Sequence, residues 1–554
     1  MSVKRIPVWL ALLFLSGACG EKSTPPPPDV PKNMAVRVTQ IDGASFDDPH
    51  YQASLLPLLR FQFSEPLNKT TVAGAVSFTD PGGSPVSCNF TYQQGDSVLL
   101  VQPVASLSAI SKYQFRITNA LKSASGGILT NPVSKTLITR IDSTRKFPPL
   151  TDNELLNKVQ QQTFKYFWDF GHPVSGLARE RNSSGDVVTS GGSGFGIMAI
   201  PVGVERGFIT RAQGLARMQK IVGFLKNTAV KVKGAFSHWL NGTTGAIVPF
   251  STNDNGADLV ETSYLMMGLL TARQYFNGTD AEETTLRADI NTLWNNVEWD
   301  WFRNGGQNVL YWHYSADKGW AMNMQIKGWN ECLITYVLAA SSATHGVPAA
   351  VYTNGWTSNG AFVNGNNFLG YTLPLGSSYG GPLFFAHYSF LGINPNGLAD
   401  SYTNYLTQVR NHTLINYQFC RVGGMAGSGY SDSLWGLTAC DIPNGYTACS
   451  PTNDRGVVAP TAALSSMPYT PAESMAALKF FYYVLGDKLW KEYGFVDAFS
   501  LRDTWFASSF LAIDQGPIIL MIENHRSGLL WNLFTSCPEV KNGMRALGFT
   551  APYL

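Results

Sequence analysis

Charged side chains are scarce in this chain of 554 residues, where Asp, Glu, Lys and Arg make up 14%, against roughly 25% in an average globular protein. The net charge is only +2, and the absence of a basic block gives no support to nucleic-acid binding. Aromatic residues reach 12% and apolar residues 44%. Such a composition suits a neutral, ring-shaped ligand, with carbohydrate as the first candidate class. It is equally typical of any large, well-packed exported protein.

Long apolar runs are missing too, because no segment offers 18 uninterrupted apolar residues, and we therefore predict no transmembrane helix. At the N-terminus, Lys4 and Arg5 precede a short apolar run, residues 7–15, and then small residues that end at Cys19. This pattern predicts a signal peptide. Cys19 resembles the lipidated cysteine of a bacterial lipobox. Ser16 stands where Leu is more usual, so an ordinary signal peptide remains an alternative.

The organisation that we predict begins with this signal peptide over residues 1–19 and a Pro-rich linker over residues 20–33. The linker contains four consecutive prolines, which favour an extended spacer. We expect an exported monomer, lipid-anchored to the bacterial outer membrane on its periplasmic or cell-surface side. The membrane is expected to be contacted only through that anchor.

Residues 34–143 contain short, partly alternating runs separated by Gly, Pro, Asn and Asp, which predict an antiparallel β-sandwich. The runs are AVRVTQI, LLRFQFS, AVSFTD, CNFTYQ, SVLLVQP, YQFRITN and KTLITRI. This segment resembles the bacterial Ig-like modules of secreted enzymes. A passive spacer and a weak binding module are both compatible with it.

From about Thr151 the apolar period becomes helical, and residues 150–554 are predicted to form a mainly α domain. Some helical segments are amphipathic, whereas others, such as SYLMMGLL, are apolar on all sides. That mixture predicts an inner ring of buried helices inside an outer ring, as in an α/α toroid. An α-solenoid has the same local signals, but no clear sequence repeat favours it.

Familiar catalytic and cofactor motifs are absent: the chain has no G-x-S-x-G, H-E-x-x-H, Walker or dinucleotide-binding pattern. The Gly-rich segment 191–196 does not follow a strand of a βαβ unit, so a tight helix entry is favoured over a phosphate cradle. The six cysteines beyond Cys19 include no C-x-x-C pair. Cys440 and Cys449 are compatible with a disulfide or with free thiols.

Carboxylates in aromatic, low-charge surroundings are what remains, and cleavage of a glycosidic bond needs two of them. Glu261 lies in the stretch DLVETSYLMM, and an apolar setting helps a carboxyl group to hold a proton. A structural alternative is strong, because Asp258 and Glu261 also have the spacing of a helix-capping box. Spacing alone favours the cap.

Several loop residues compete for the second carboxylate, and each has a structural alternative: an Arg-paired loop, an Asx turn or a helix cap. The candidates are Glu180, Asp186, Asp441, Asp454 and Asp514. Other residues are predicted to contact a sugar, through stacking or polar contacts. They are Arg179, Trp312, Trp329, His387, Tyr388, Trp435 and Arg526, and for most of them a core or ion-pair role is the alternative.

Long motifs from about Thr151 to the C-terminus resemble glycoside hydrolase family 144, the bacterial β-1,2-glucanases with a "glucoamylase-like" domain. The motifs are GGSGFGIMAIPVGVERGFITR, HWLNG, DLVETSYLMMGLLTARQYF, GPLFFAHYSFLG, NHTLINYQFC, WGLTACDIPNGY, APTAALSSMPYTPAESMAALKFFY and LAIDQGPIILMIENHRSGLLW.

This resemblance implies an (α/α)6 barrel, inverting hydrolysis of β-1,2-glucan and no metal or organic cofactor. It implies that Glu261 is the general acid and that Asp441 is on the base side, with Asp454 or Glu180 as alternatives. The two carboxyl groups are then expected roughly 6.5–9.5 Å apart. The chain departs from the family at Glu180, where Asp is expected between two arginines, and in the loop GSGYSDSL before Trp435.

We expect endo-cleavage to sophorose or short sophoro-oligosaccharides, with exo-release of sophorose as the alternative. A glycan-binding lipoprotein without catalysis would need aromatic platforms but no acid pair. A polysaccharide lyase of the same fold is disfavoured by the low density of Arg and Lys.

Overall fold

The computed structural model describes residues 1–3 and 30–554. The predicted signal peptide and Cys19 therefore fall almost wholly outside the described residues. The chain divides into two compact units. One comprises residues 1–107 and 113–137, and the other comprises residues 108–112 and 138–554.

The first unit is a sandwich of two β-sheets, with strand orders β2-β1-β4-β7-β6 and β3-β9-β8-β5. The strands are β1 Val36–Ile41, β2 Ala44–Ser45, β3 His50–Ala53, β4 Leu59–Phe63, β5 Val76–Thr79, β6 Cys88–Gln93, β7 Val98–Pro103, β8 Lys112–Ile117 and β9 Val133–Thr139. A short helix, α1 (Val72–Ala75), follows the turn Lys69–Thr71.

The core of this sandwich follows from the alternation of side chains along each strand. In β4 the apolar residues alternate with Arg60 and Gln62, and only the apolar ones are fully buried. The rings of Phe61 and Phe115 stack with centroids 5.0 Å apart between the two sheets. All seven predicted runs form strands, while β2 and β3 were not predicted because two to four residues carry too little periodicity.

The second unit is mainly helical. Its helices are α2 Asp152–Trp168, α3 Ser190–Glu205, α4 Arg211–Asn227, α5 Leu259–Tyr275, α6 Ala281–Asn295, α7 Leu333–Ser341, α8 Ala349–Val351, α9 Tyr405–Val422, α10 Pro460–Leu464, α11 Pro471–Tyr483, α12 Gly486–Leu489, α13 Ala512–Arg526, α14 Leu529–Thr535 and α15 Pro538–Ala546. Short helical turns lie at Trp299–Arg303, Tyr352–Trp356, Ser358–Gly360, Leu383–Ala386 and Tyr388–Leu391.

The predicted difference between inner and outer helices is present. Nearly every residue of α3, α5, α7, α10 and α13 is buried, whereas α2, α4, α6, α9 and α11 bury one face. Among the inner helices, α3 contacts both α5 and α13, and α5 contacts α7. The turn Tyr388–Leu391 contacts α7 and α13, so the contacts return to α3.

Glycines bring α3 and α5 unusually close. A Cβ on Gly194 would lie 2.2 Å from the carbonyl oxygen of Tyr264, and one on Gly268 would lie 2.3 Å from the carbonyl oxygen of Gly194. The Gly-rich segment 191–196 therefore lies in the first turns of α3 and serves helix packing.

Short strands of two to four residues lie in the connections between the helices. They are β10 Val187–Thr189, β11 Trp239–Asn241, β12 Ile247–Val248, β13 Ala257–Asp258, β14 His313–Tyr314, β15 Asn367–Phe368, β16 Tyr371–Thr372, β17 Ala439–Ile442, β18 Gly445–Ala448, β19 Trp490–Lys491, β20 Gly494–Phe495, β21 Phe499–Ser500 and β22 Trp505–Phe506. β10 runs directly into α3, and β13 runs directly into α5.

Two further expectations concern membranes and disulfides. None of the helices that the structure describes has the length and hydropathy needed to span a bilayer. Cys440 and Cys449 are both free thiols, as are the other four described cysteines.

Candidate active site

Asp258 and Glu261, the two carboxylates at the start of α5, have different structural roles. Asp258 is the N-cap residue, and its Oδ1 accepts the backbone N–H groups of Val260 and Glu261 at 3.0 and 2.9 Å. The Glu261 side chain does not return to the N-cap backbone. Its Oε2 instead accepts the N–H of Gly191 at 2.8 Å and the hydroxyl of Thr189 at 3.3 Å. Asp258 alone caps the helix, which leaves Glu261 available for chemistry.

The surroundings of Glu261 favour its protonated form. The residue is 4% exposed, and burial, followed by the negative charge of Asp258, raises its pKa. Bonds from Gly191 and Thr189 and the charge of His238 act in the opposite direction without outweighing burial. Oε1 accepts no hydrogen bond from the described residues. A carboxyl group held in this way can donate a proton to a ligand.

A cluster of His and Asp side chains lies beside Glu261. His238 Nδ1 is 3.2 Å from Asp258 Oδ2, and His313 Nε2 is 3.4 Å from Asp254 Oδ2. Burial opposes a charge on His238, but the carboxylates of Glu261, Asp258 and Asp254 outweigh burial and raise its pKa to about 9. The imidazole is therefore cationic at neutral pH. His238, Asp254 and Asp258 are also spaced closely enough to hold a cation.

A second group of carboxylates is organised by one guanidinium. Arg181 Nε lies 2.9 Å from Glu180 Oε2, and its Nη1 lies 3.3 Å from both carboxylate oxygens of Asp441. Ser509 donates to Asp441 Oδ2 at 2.5 Å. Asp441 Oδ1 receives a hydrogen bond from Arg181 alone among the described residues. This leaves room for Oδ1 to accept a proton from water.

The two groups meet at one cavity of about 330 Å³. Its walls include Glu180 and Arg181 from the second group, and Thr189 and His238, which lie beside Glu261, from the first. Aromatic side chains complete the lining, namely Trp239, Phe250 and Tyr446. Phe250 is 50% exposed and its ring centroid lies 4.4 Å from that of His238. A sugar ring can pack on such an exposed aromatic face.

Glu331 is a further acid near Glu261. Its backbone is fixed, because its carbonyl oxygen accepts the hydroxyl groups of Ser389 at 2.5 Å and Tyr264 at 3.4 Å. Its carboxylate has no side-chain partner among the described residues. Burial, and then the charges of Glu261 and Asp258, raise its pKa to about 7.

Of the residues predicted from sequence, Glu180 lines the cavity, whereas Glu261 and Asp441 contact it through the lining residues Thr189 and Arg181. Several others need correction. Trp329 is a core residue that packs against Phe390 and Tyr405, and Trp435 is fully buried. Apolar neighbours account for both rings.

His387 and Tyr388 are also buried and do not line the cavity. His387 Nε2 lies 2.9 Å from the Ser466 hydroxyl, and burial lowers its pKa to about 3. The ring of Tyr388 packs against Phe195 and Tyr264, beneath the site. Trp312 is half-buried and stacks on His313 with centroids 5.7 Å apart.

The polar candidates Arg179, Asp186 and Asp454 are structural. Arg179 donates to the carbonyl oxygens of Gly185 and Phe170, and Asp186 pairs with His172 at 3.2 Å. Asp454 accepts the Tyr430 hydroxyl at 2.7 Å and two backbone N–H groups. Each therefore stabilises its own loop, although the predicted alternatives, an Arg partner for Asp186 and a helix cap for Asp454, are wrong.

Arg526 lies at the opposite ends of the inner helices, where it lines a larger groove of about 930 Å³. It donates to Gln160 and Asn153 rather than to Glu523, which pairs with Arg206. Arg206 and Arg526 lie at the carboxyl ends of α3 and α13, whereas the contacts of Glu261 lie at the amino end of α3. The larger groove is thus separate from the carboxyl groups described above.

Sequence reasoning missed functional candidates that lay inside motifs already noticed. His238 and Trp239 belong to HWLNG, Tyr446 ends WGLTACDIPNGY, and Glu331 lies two positions after the candidate Trp329. Phe250 carried no signal, because single aromatic residues in loops are common in this chain.

Comparisons with known proteins give the family. The family described as "Putative glucoamylase" matches residues 323–538, and "Bacterial Ig-like domain" matches residues 31–139. An exo β-1,2-glucooligosaccharide sophorohydrolase (non-reducing end) from Parabacteroides distasonis is 45% identical over 421 residues, 72% of this chain. The match spans 58% of that relative's length.

The match to this chain spans the full length of two solved structures. A protein from Bacteroides uniformis, described as the same type of glucoamylase, is 54% identical, with a TM-score of 0.72 over 74% of this chain and 100% of its own. An endo-β-1,2-glucanase from Chitinophaga pinensis, in complex with sophorotriose and glucose, is 50% identical, with a TM-score of 0.71 over 73% of this chain and 100% of its own. With half of all residues identical across the whole of these relatives, the chain belongs to glycoside hydrolase family 144 and carries a bacterial Ig-like domain ahead of its glucoamylase-like domain.

Proposed function

We propose that the chain hydrolyses β-1,2-glucan at the cavity between Glu261 and Asp441. The observation that carries the proposal is the chemistry of the two walls. One wall holds a buried carboxyl group whose pKa is raised, and the other holds a carboxylate bound by Arg181 and Ser509. Such unlike environments suit an acid and a base acting on one bond.

In this mechanism Glu261 protonates the departing glycosidic oxygen through Oε1, while Gly191 and Thr189 hold Oε2 in place. Asp441 takes a proton from the water that attacks the anomeric carbon from the opposite face. The attack inverts the configuration, so a β-linkage yields the α-anomer. The loss of the proton from Glu261 is eased by cationic His238.

Substrate binding is assigned to the exposed aromatic residues and to Glu331. Phe250, Trp239 and Tyr446 offer ring faces to glucosyl units. The carboxylate of Glu331, which has no side-chain partner in the described part of the chain, accepts sugar hydroxyl groups. Neutral rings and few cations match an uncharged glucan better than a uronic acid polymer.

We further propose that the helical unit is an (α/α)6 barrel. Inner and outer helices alternate along the chain, which supports this proposal. A second support is that α13, the last inner helix, contacts α3, the first one. The amino ends of α3 and α5 then open onto the same face as the cavity.

Endo-cleavage is our proposal for the mode of action, because the Chitinophaga endo-enzyme is covered over its full length. The Parabacteroides relative, an exo-acting sophorohydrolase, is matched over 58% of its length, and exo-release is therefore the second candidate.

The decisive experiment incubates the protein with linear β-1,2-glucan and, as a control, with β-1,3-glucan. We expect new reducing ends from the first substrate only, an early fall in mean chain length, and the α-anomer first in proton NMR spectra. If sophorose were the only product from the first time points, the mode of action would be exo-cleavage and not endo-cleavage. Binding without new reducing ends would support a glycan-binding protein, and ultraviolet-absorbing unsaturated products would support a lyase.

Export and lipid anchoring through Cys19 are proposed from the sequence pattern alone. Radiolabelled palmitate should be incorporated into the wild-type chain in its host and not into a Cys19→Ala variant. An unlabelled wild-type chain would leave an ordinary signal peptide as the explanation.

A further inference from the structure

A second pair of carboxyl groups, Asp497 and Asp514, lies directly behind Asp441. Both residues are 2% exposed, and their carboxyl groups are in hydrogen-bonding contact with each other. Asp497 Oδ2 accepts the backbone N–H of Asp441 at 2.7 Å. Asp514 lies in the first turn of α13. The pair thus links that helix to the strand β17, which carries Asp441.

The hydrogen bonding of this pair is incomplete without an added proton. Asp497 Oδ1 and Asp514 Oδ2 are buried, and no N–H or O–H group in the described part of the chain donates to either of them. Two ionised carboxylates in contact would repel each other and leave both oxygens without a donor. One retained proton supplies the missing donor and removes the repulsion.

The charges around the pair also favour one retained proton. The titratable and charged groups that face it are Arg181, Asp441, Cys440, Tyr446 and Tyr388. Arg181 is the single cation among them, and it already binds Asp441 and Glu180. Burial first, and then the neighbouring carboxylates, raise the pKa of Asp497 to about 7 and that of Asp514 well above its usual value.

We infer that Asp514 keeps its proton and donates it in a hydrogen bond to ionised Asp497, and that this acid pair positions Asp441 for the proposed reaction. The ionised Asp497 fixes the backbone N–H of Asp441. The remaining negative charge is confined to one carboxylate of the pair, Asp497, which reduces the repulsion between the pair and Asp441. Neither Asp497 nor Asp514 touches the cavity, and both are positioning residues.

Two substitutions of Asp514 test whether its hydrogen-bond donor matters or only the volume of its side chain. Asp514→Asn keeps an N–H donor for Asp497, whereas Asp514→Val removes it at similar size. On linear β-1,2-glucan we expect kcat/KM of the Asn variant to stay within about threefold of wild type. The Val variant should lose at least about 30-fold in kcat, with KM changed less than about threefold, because binding groups are untouched and Asp441 is displaced.

A thermal measurement tests the shared proton without any substrate. Native Asp514 holds a proton that the unfolded chain releases near pH 4, so the wild type loses stability as the pH rises. The Asn variant has no such proton. Its Tm relative to wild type should therefore rise between pH 5 and pH 8 by about 2 °C or more. Asp400→Asn, at an Asp whose carboxylate is bonded by Tyr352 and Tyr405, controls for the amide itself.

The proposal is overturned if Asp514→Asn loses as much kcat as Asp514→Val, or if its Tm difference from wild type does not change with pH. Should the Val variant not fold, the two measurements on Asp514→Asn decide by themselves. The activity arm rests on the proposed function, so wild-type hydrolysis is measured first. Its absence would refute the proposed function, while the thermal arm would still test the acid pair.

Discussion

Glu261 occupies the first turn of α5, where free amide N–H groups ordinarily stabilise an ionised side chain. Here the N-cap role has passed to Asp258, which accepts two of those N–H groups. Burial therefore decides the ionisation of Glu261, and its pKa rises. At the scale of single residues, a neighbour that satisfies the helix terminus allows the acid to keep its proton.

Glu261→Gln tests the assignment of the acid. The amide keeps the shape and can still accept the Gly191 N–H, but it cannot supply a proton. We expect kcat on β-1,2-glucan to fall about 10³-fold, within the 10²–10⁴-fold range of general acid catalysis. Affinity for sophorotriose, measured by calorimetry, should stay within threefold.

The control for this variant is Glu205→Gln, because Glu205 lies at the far end of α3 and accepts the Tyr275 hydroxyl at 2.8 Å. Near-normal hydrolysis by Glu261→Gln would exclude Glu261 as the acid.

Glu331→Gln tests substrate binding by the carboxylate that lacks a side-chain partner. Hydrogen bonds to charged groups contribute about 1.5–3 kcal/mol, so KM should rise about tenfold with little change in kcat. The pKa of Glu331 is about 7, and below it the wild-type carboxyl is neutral like the amide. The KM ratio of variant to wild type should therefore be larger at pH 8 than at pH 6. A ratio independent of pH would contradict a role for the ionised form.

At the scale of elements, the close approach of α3 and α5 sets the position of the acid. Gly191 donates to Glu261 at 2.8 Å, and a Cβ there would lie 2.5 Å from Glu261 Oε2. One turn further along α3, Gly194 allows the backbones to touch. The glycines of this segment fix the distance between the two helices and hence between Glu261 and its donors.

Gly194→Ala should destabilise the helical unit strongly. The added methyl group would meet backbone rather than a movable side chain, at 2.2 Å from the carbonyl oxygen of Tyr264. Overpacking typically costs 1–3 kcal/mol, and we expect about 3 kcal/mol or more here. Chemical denaturation of wild type and variant measures the difference. Gly223→Ala on α4 is the matched control, since its Cβ would meet nothing within 4 Å.

At the scale of the whole molecule, the buried titratable groups give the protein a preferred pH. Burial lowers the pKa of His387 to about 3 and that of His412 to about 4, which costs stability as the pH falls below the ordinary histidine range. Burial raises the pKa of Glu331 to about 7 and that of Asp514 well above its usual value, which costs stability as the pH rises. These opposite slopes largely cancel between pH 4.5 and 6.5.

Above pH 7 the two buried histidines no longer offset the pH dependence of stability that His238 causes. Its folded pKa of about 9 exceeds its unfolded value of 6.5, so its stabilisation is complete below pH 6.5 and is lost as the pH rises to 9. We expect His238 to contribute a fall of up to about 1.4 kcal/mol per pH unit in the free energy of unfolding in this window, in addition to the fall caused by Asp514. Denaturant titrations at pH 6.5, 7.5 and 8.5 measure the slope. His238→Asn should make the slope smaller, and an equal slope in that variant would reject a contribution from His238.

The sequence by itself determined the local structure of this protein. Alternating apolar residues predicted the strands of the sandwich, and the helical period predicted long helices such as α2 and α5. The cap at Asp258 also followed from spacing, because a cap is a contact between residues a few positions apart. Glu261 was ranked above that cap only through resemblance to a family.

Only the tertiary structure decided which side chains meet. Glu261 and its donor Gly191 are 70 positions apart, and Arg181 and Asp441 are 260 positions apart. No local period encodes such pairs, since they depend on how the inner helices and their short strands pack. The same packing placed Trp329, Trp435 and His387 in the core, and it brought Asp497 and Asp514 together behind Asp441. Burial and mutual charge arise only after these groups have met, and they set which carboxyl group keeps its proton.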